Sequence, residues 1–177
     1  GLGGDSEFIR VTADARYYHE LFEDVIGVAR VQAGHVMAWG SDDLRILDHF
    51  FMGPSLVRGF EPSGIGPRDN QGNALGGTTY AGGSLEVQFP LPLVPRDFGF
   101  KGAVFADVGT LVNYEGQRVF NGTTLVVNDN DEIRSSIGAS LLWASPLGPL
   151  RFDYAYALSK ADGDQTQAFR FSGGTSF

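Results

Sequence analysis

Cysteine is absent from the 177-residue sequence, which removes disulfide scaffolds, thiolate metal sites and cysteine nucleophiles together. Positive charge is in short supply: 13 Lys and Arg face 21 Asp and Glu, a formal net charge of −8. A surface built to hold a phosphate backbone is therefore not expected, and neither is a nucleic-acid partner. No apolar run approaches the roughly 18 residues needed for a membrane-spanning helix. No charged-then-apolar leader opens the chain, so no signal peptide is expected in it. What the sequence does hold is 25 glycines, 14 phenylalanines and 12% aromatics, which is enough apolar surface to rule out a disordered chain. The length fits one domain or one piece of a larger one. High Gly, high Phe and short apolar runs point to β structure, with water or lipid still open as its solvent.

Alternation supplies the secondary structure. Ile9, Val11, Ala13, Ala15 and Tyr17 are apolar or aromatic, whereas Arg10, Thr12, Asp14 and Arg16 between them are polar. A period of two is a strand with one apolar and one polar face. Leu150, Phe152, Tyr154 and Tyr156 alternate with Arg151, Asp153 and Ala155, and the final residues alternate from Phe169 through Phe171 to Phe177. Weaker forms of the pattern cover residues 28–36, 84–89, 101–111 and 136–143. Seven strands and no amphipathic helix are expected. An antiparallel sheet with one wet face and a membrane barrel share this alternation, so it does not separate them.

Connection lengths do. The gaps at 18–25, 90–97 and 144–149 are short, those at 38–78, 112–133 and 158–165 are longer, and the two kinds alternate along the chain. Outer-membrane barrels have tight periplasmic turns and long outer loops, and Greek-key sandwiches give no reason for such an order. Tyr17, Tyr18, Phe98, Phe100, Trp143 and Tyr156 sit near strand ends, where interface girdles place aromatics. The fold class expected is all-β, an antiparallel transmembrane β-barrel portion of about seven strands.

Searches for chemistry return little. His19, His35 and His49 lack metal spacing, so surface or lumen polar roles are expected for them and no metal or other cofactor. Gly64-Ile65-Gly66 lacks the third glycine of a dinucleotide fingerprint. Asn128 to Glu132 reads as an acidic outer loop rather than a calcium loop, and Asn121-Gly122-Thr123 reads as a turn. No Ser, His and Asp grouping suggests a triad. No catalytic residue and no enzymatic activity are expected.

The long gap contains Val57-Arg58-Gly59-Phe60, the strand expected at 101–111 contains Phe105-Ala106-Asp107-Val108-Gly109, and the strand before it contains Ser84-Leu85-Glu86. Together these resemble the loop and barrel motifs of the Omp85 superfamily. The run from Trp143 to Ala155 and the Asp162-Gly163-Asp164 loop are similar to its assembly-factor branch. The resemblance implies that residues 1–177 are the C-terminal portion of an Omp85-type barrel domain, whose outer loop 38–78 carries the motif. It implies further N-terminal strands, about sixteen in the whole barrel, and preceding POTRA domains. The implied function is the folding and insertion of β-barrel proteins into the bacterial outer membrane. The implied partners are outer-membrane lipid, nascent outer-membrane proteins and assembly-complex lipoproteins. A secretion or translocation pore of the same superfamily and a passive porin-like channel are the alternatives, with a soluble all-β binding domain last.

In the superfamily this loop folds into the lumen, where the Arg meets inward-facing acids. The register agrees: with Val104, Ala106 and Val108 outward, Phe105 and Asp107 face inward, and so do Glu86 and Gln88. A turn pairing symmetrically about Leu93 sets Glu86 opposite Lys101. Asp107 is then the first expected partner of Arg58, with Glu86 held by Lys101 across the strands. Phe60 is expected near Phe105. On the last strand, Phe169, Phe171 and Phe177 should face lipid as a C-terminal targeting signal. Gly173 and Gly174 either loosen a laterally opening seam, as the resemblance implies, or accommodate a neighbouring ring.

Overall fold

The computed structural model describes residues 8–38, 48–69, 71–92, 95–115, 119–120, 123–124, 127–128, 133–161 and 163–173. In chain order the strands are β1 (Phe8–Phe22), β2 (Val25–Ala38), β3 (Arg68–Asp69), β4 (Thr79–Pro90), β5 (Phe100–Val112), β6 (Val119–Phe120), β7 (Thr123–Thr124), β8 (Val127–Asn128), β9 (Arg134–Ser145), β10 (Gly148–Ser159) and β11 (Phe169–Gly173). Seven of them form one sheet in the order β1-β2-β4-β5-β9-β10-β11. Every neighbouring pair is antiparallel, so the three short turns lie at one end and the long connections at the other. No helix among the described residues is long and apolar enough to cross a membrane; a 3-10 turn, Arg96–Phe98, interrupts the β structure between β4 and β5.

The two faces divide as the alternation predicts. Val11, Val31, Leu85, Tyr154 and Phe169 lie on one side and are all more than half exposed. Glu86, Asp107, Arg151 and Asp153 lie on the other and are all buried. A continuous exposed apolar face is costly in water and is what a barrel presents to lipid. The inner face meets the long loop instead. Val36, Tyr80 and Leu111 from the strands pack with Phe50, Leu56, Val57, Phe60 and Ile65 from the loop, flanked by Phe8, Met52 and Ala157. The apolar core therefore lies between the inner wall and the folded-in loop. Each side chain buried there contributes about 1.5–3 kcal/mol relative to exposure.

Two local expectations are corrected and a third is narrowed. β1 does not stop at Tyr17. Tyr18, His19 and Glu20 pair with Val28, Gly27 and Ile26, and the reversal is left to Glu23 and Asp24, the latter with φ 63°. The alternation is masked there because aromatic and aliphatic residues, Tyr17 with Tyr18 and Leu21 with Phe22, stand side by side. The β4–β5 register is also displaced. Glu86 lies opposite Phe105, and Lys101 lies opposite Pro90. The 3-10 turn lengthens the second arm of this connection, so the pairing slides by four residues. An even slide preserves which face each residue occupies. Of the two polar settings expected for His49, the surface is excluded: it is buried, stacks on Tyr114 at 4.7 Å and accepts from the Glu115 amide at 3.2 Å.

Candidate functional site

The loop that carries Arg58 is built to bend inward. The Gly53 carbonyl accepts from the amides of Leu56 and Val57, both at 3.0 Å, which closes a turn one residue before Arg58. Ser55 is held from the wall: its carbonyl accepts from Gln32 Nε2 at 2.9 Å. Two glycines opposite each other in the register, Gly82 and Gly109, form the seat beneath. A Cβ at Gly82 would stand 2.5 Å from Leu56 Cδ1, and one at Gly109 would stand 2.8 Å from Leu56 Cγ and 3.0 Å from Val57 Cγ2. The glycine of the Phe-x-Asp-x-Gly motif is thus required by the loop that lies on it, whose backbone then turns at Gly59 with φ 100°.

Arg58 uses almost every donor it has. Nε donates to Asp107 Oδ2 at 2.7 Å, Nη2 donates to Asp107 Oδ1 at 2.8 Å, and the backbone amide donates to Asp107 Oδ2 at 2.9 Å. Nη1 donates to Glu86 Oε1 at 2.7 Å, and Nη2 also reaches Ser84 Oγ at 3.0 Å. The guanidinium carbon sits 3.7 Å from the centre of the Phe105 ring, a cation–π contact made in a largely buried site. This is fork geometry that an ammonium cannot reproduce. Burial acts to lower the Arg58 pKa, but the bonds and charges of Asp107, followed by those of Glu86, outweigh it and hold the group above its ordinary value.

Arg58 therefore meets both acids, and Lys101 meets neither. The corrected register explains this, because Ser84 lies opposite Asp107 and Glu86 opposite Phe105, placing both carboxylates within one guanidinium's span. Ser84 Oγ itself donates to Asp107 Oδ1 at 2.6 Å. Glu86 also accepts from Arg151 Nη2 and, at 2.9 Å, from Gln88 Nε2. Arg151 Nε donates to Asp153 Oδ1 at 2.8 Å, and Ser140 Oγ donates to the same oxygen. The network thus runs from the loop across four strands of the wall. Phe60 is fully buried in the core cluster and bridges to Thr166; the group that covers Phe105 is Arg58.

Arg151, Asp153, Ser140 and Gln32 were not assigned to the Arg58 network from sequence. Their inward parity was legible, since Arg151 and Asp153 stand two apart on an alternating strand, but their reach toward Glu86 depends on curvature that no local pattern encodes. A cavity of about 350 Å³ opens on the network, lined among others by Arg16, Arg30, Arg58, Arg151 and Arg170. No cluster of three or more metal-ligating side chains occurs among the described residues.

At the last strand, Phe169 and Phe171 face outward and both pack on Phe152 of β10, with ring centres at 6.4 and 5.1 Å. Among the described residues, β11 pairs with Leu150–Tyr154 of β10. Among the described residues, the neighbour a Cβ at Gly173 would meet is Leu150, at ordinary contact distance. Gly174 and Phe177 lie outside the described residues.

Comparison with known proteins agrees with this geometry. The Omp85 superfamily domain matches residues 1–177. The outer membrane protein assembly factor BamA of Neorickettsia risticii is 36% identical over 173 residues, 97% of this chain and 22% of that protein. BamA of Nitratidesulfovibrio vulgaris is 32% identical over 180 residues, 99% of this chain and 21% of that protein. The chain thus spans under a quarter of the length of these relatives. A crystal structure of BamA from Haemophilus ducreyi lacking POTRA domains 1-3 superposes with a TM-score of 0.79 at 22% identity, covering 96% of this chain and 35% of that one, which establishes the same fold. With seven antiparallel strands, an apolar outer face, an Arg58 loop seated on the inner wall and a superfamily match over its whole length, the chain belongs to the Omp85 superfamily and its sheet is part of an outer-membrane β-barrel.

Proposed function

We propose that this chain is the C-terminal portion of a barrel that folds and inserts β-barrel proteins into the bacterial outer membrane, a non-enzymatic role. Residues 1–177 form the part of that barrel domain whose outer loop, 38–78, docks in the lumen. The observation that carries the reading is the docked loop: Arg58 binds Asp107 and Glu86 in a chain whose relatives are named assembly factors. The passive-channel reading supplies no reason for an Arg58 loop seated on two acids of the wall. The partners in this reading are outer-membrane lipid on the apolar face, nascent outer-membrane proteins, and lipoproteins of an assembly complex.

Docking supports assembly by fixing the inner wall and the loop as one body. An Arg seated by a bidentate carboxylate has one orientation rather than many, so strands β4, β5 and β10 keep a defined spacing while the barrel edge works on a client. In the full-length protein reconstituted in proteoliposomes, Arg58→Ala should slow the folding of an unfolded outer-membrane protein client by about tenfold or more. Folding at the wild-type rate would remove the role given to the loop.

A further inference from the structure

A second ion pair, outside the Arg58 network, is buried more completely. Arg134, the first residue of β9, and Asp164, in the connection before β11, each retain 1% side-chain exposure. Arg134 Nε donates to Asp164 Oδ2 at 2.8 Å and Nη2 to Oδ1 at 3.3 Å, while Nη1 reaches Thr110 Oγ1 at 3.2 Å. Asp164 Oδ2 also accepts from the Ala161 amide at 2.9 Å, and the Asp164 amide donates to the Ala161 carbonyl at 3.2 Å. The carboxylate therefore closes its own turn and is clamped to the wall at once. Its three acceptor contacts satisfy a charge that water does not reach.

The segment just after Asp164 is bound to the inserted loop. The Gln165 amide donates to the Gly64 carbonyl at 3.0 Å, the Gln165 carbonyl accepts from the Glu61 amide at 3.0 Å, and the Gln167 amide donates to the Gly59 carbonyl at 2.8 Å. Phe60 and Thr166 form the bridge between these bonds. The Ala168 carbonyl then accepts from the Ala155 amide of β10 at 2.8 Å, and β11 begins at the next residue. Every residue from Asp164 to Ala168 is thus tied to the wall or to the loop. Gly59, the residue after Arg58, stands on the opposite side of the same ladder.

We propose that Arg134 and Asp164 are positioning residues that couple the docked loop to the last strand. By fixing Asp164, they hold residues 165–167 as a strand against 59–64, so that release of the Arg58 loop and detachment of β11 from β10 become one event. This inference deepens the assembly reading, and rests on it for its meaning in function, because a barrel edge that works on clients must respond to something inside the barrel. A coupling of this kind is reciprocal: loosening either end loosens the other. The ladder is also the short path. Gly59 and Gln167 touch, whereas the route through the wall passes from Asp107 across β9 and β10 before reaching β11.

The test is hydrogen exchange on the full-length protein in lipid nanodiscs, with client folding measured separately. Asp164→Asn keeps the shape of the side chain but removes the charge. It should speed exchange by about tenfold both at 169–171 and at 59–61, while amides in the β2–β4 pairing stay protected. Arg134→Lys, which keeps the charge without the fork, should give a smaller change at the same amides. Asp107→Asn should speed exchange at 169–171, and the double variant with Asp164→Asn should be no faster there than the faster single one. Acceleration confined to 161–164, or additive effects in the double variant, would overturn the coupling. If Asp164→Asn loosens β2–β4 as well, Arg134→Lys decides by the same amides. Coupled exchange with client folding unaffected by Arg58→Ala would sink the assembly reading alone. Slowed folding without a response at 169–171 would sink the coupling alone.

Discussion

Arg58 brings a planar fork of donors, and Asp107 takes three bonds from this residue: Nε, Nη2 and the backbone amide. Glu86 takes one, Ser84 another, and the Phe105 ring covers the face. The division ranks the partners. Losing Asp107 frees the loop backbone as well as the side chain, whereas Glu86 is also bound by Arg151 and Gln88 and is not left unpaired when Arg58 goes. Arg58→Lys preserves the charge but offers a single ammonium to acceptors spread across two strands and loses the planar stacking surface. It should destabilise the loop nearly as much as Arg58→Ala, as read by protease sensitivity of residues 48–66 in the full-length protein. Protection equal to wild type would show that charge alone holds the loop.

At the scale of elements, the even register slide between β4 and β5 explains why the site was partly legible. Parity survives a shift of four residues, so Glu86 and Asp107 were assigned to the inner face from alternation alone, and so they lie. The distance between them along the strand pair does not survive it, and this is why both acids reach Arg58 although the sequence favoured one. The same limit hid the β3–β8 pairing, Arg68 with Asn128 and Asp69 with Val127: two-residue strands in separate loops carry no periodicity to read. The Arg134–Asp164 clamp was hidden for a different reason. Its partners are thirty residues apart in sequence and meet only because the chain turns inward before β11 starts. The facing assignment has a direct check. Single cysteines at Leu85 and Tyr154 should react with a lipid-soluble maleimide, and those at Gln88 and Ser172 only with a water-soluble one. These 177 residues contribute no cysteine of their own to the background. A reversed pattern would mean the faces are exchanged.

For the whole molecule, the apolar surface points outward and the charged network inward, the inverse of a soluble domain, while the long loop supplies the core that a wide barrel would otherwise lack. Composition and gap order carry that architecture at low resolution: many Gly and Phe, no long apolar run, short and long connections in turn. They do not carry how deeply the loop enters, which depends on the Gly82–Gly109 seat and on Gln32 holding Ser55. The central claim is that Arg58 and Asp107 act as one buried unit inside the lumen. A double-mutant cycle in the closed full-length barrel measures this, with the stability of the docked loop determined for wild type, Arg58→Ala, Asp107→Ala and the double variant. Each single change leaves a confined charge and should cost about 3–5 kcal/mol, with the double variant losing clearly less than the two together. Strictly additive losses would contradict the account.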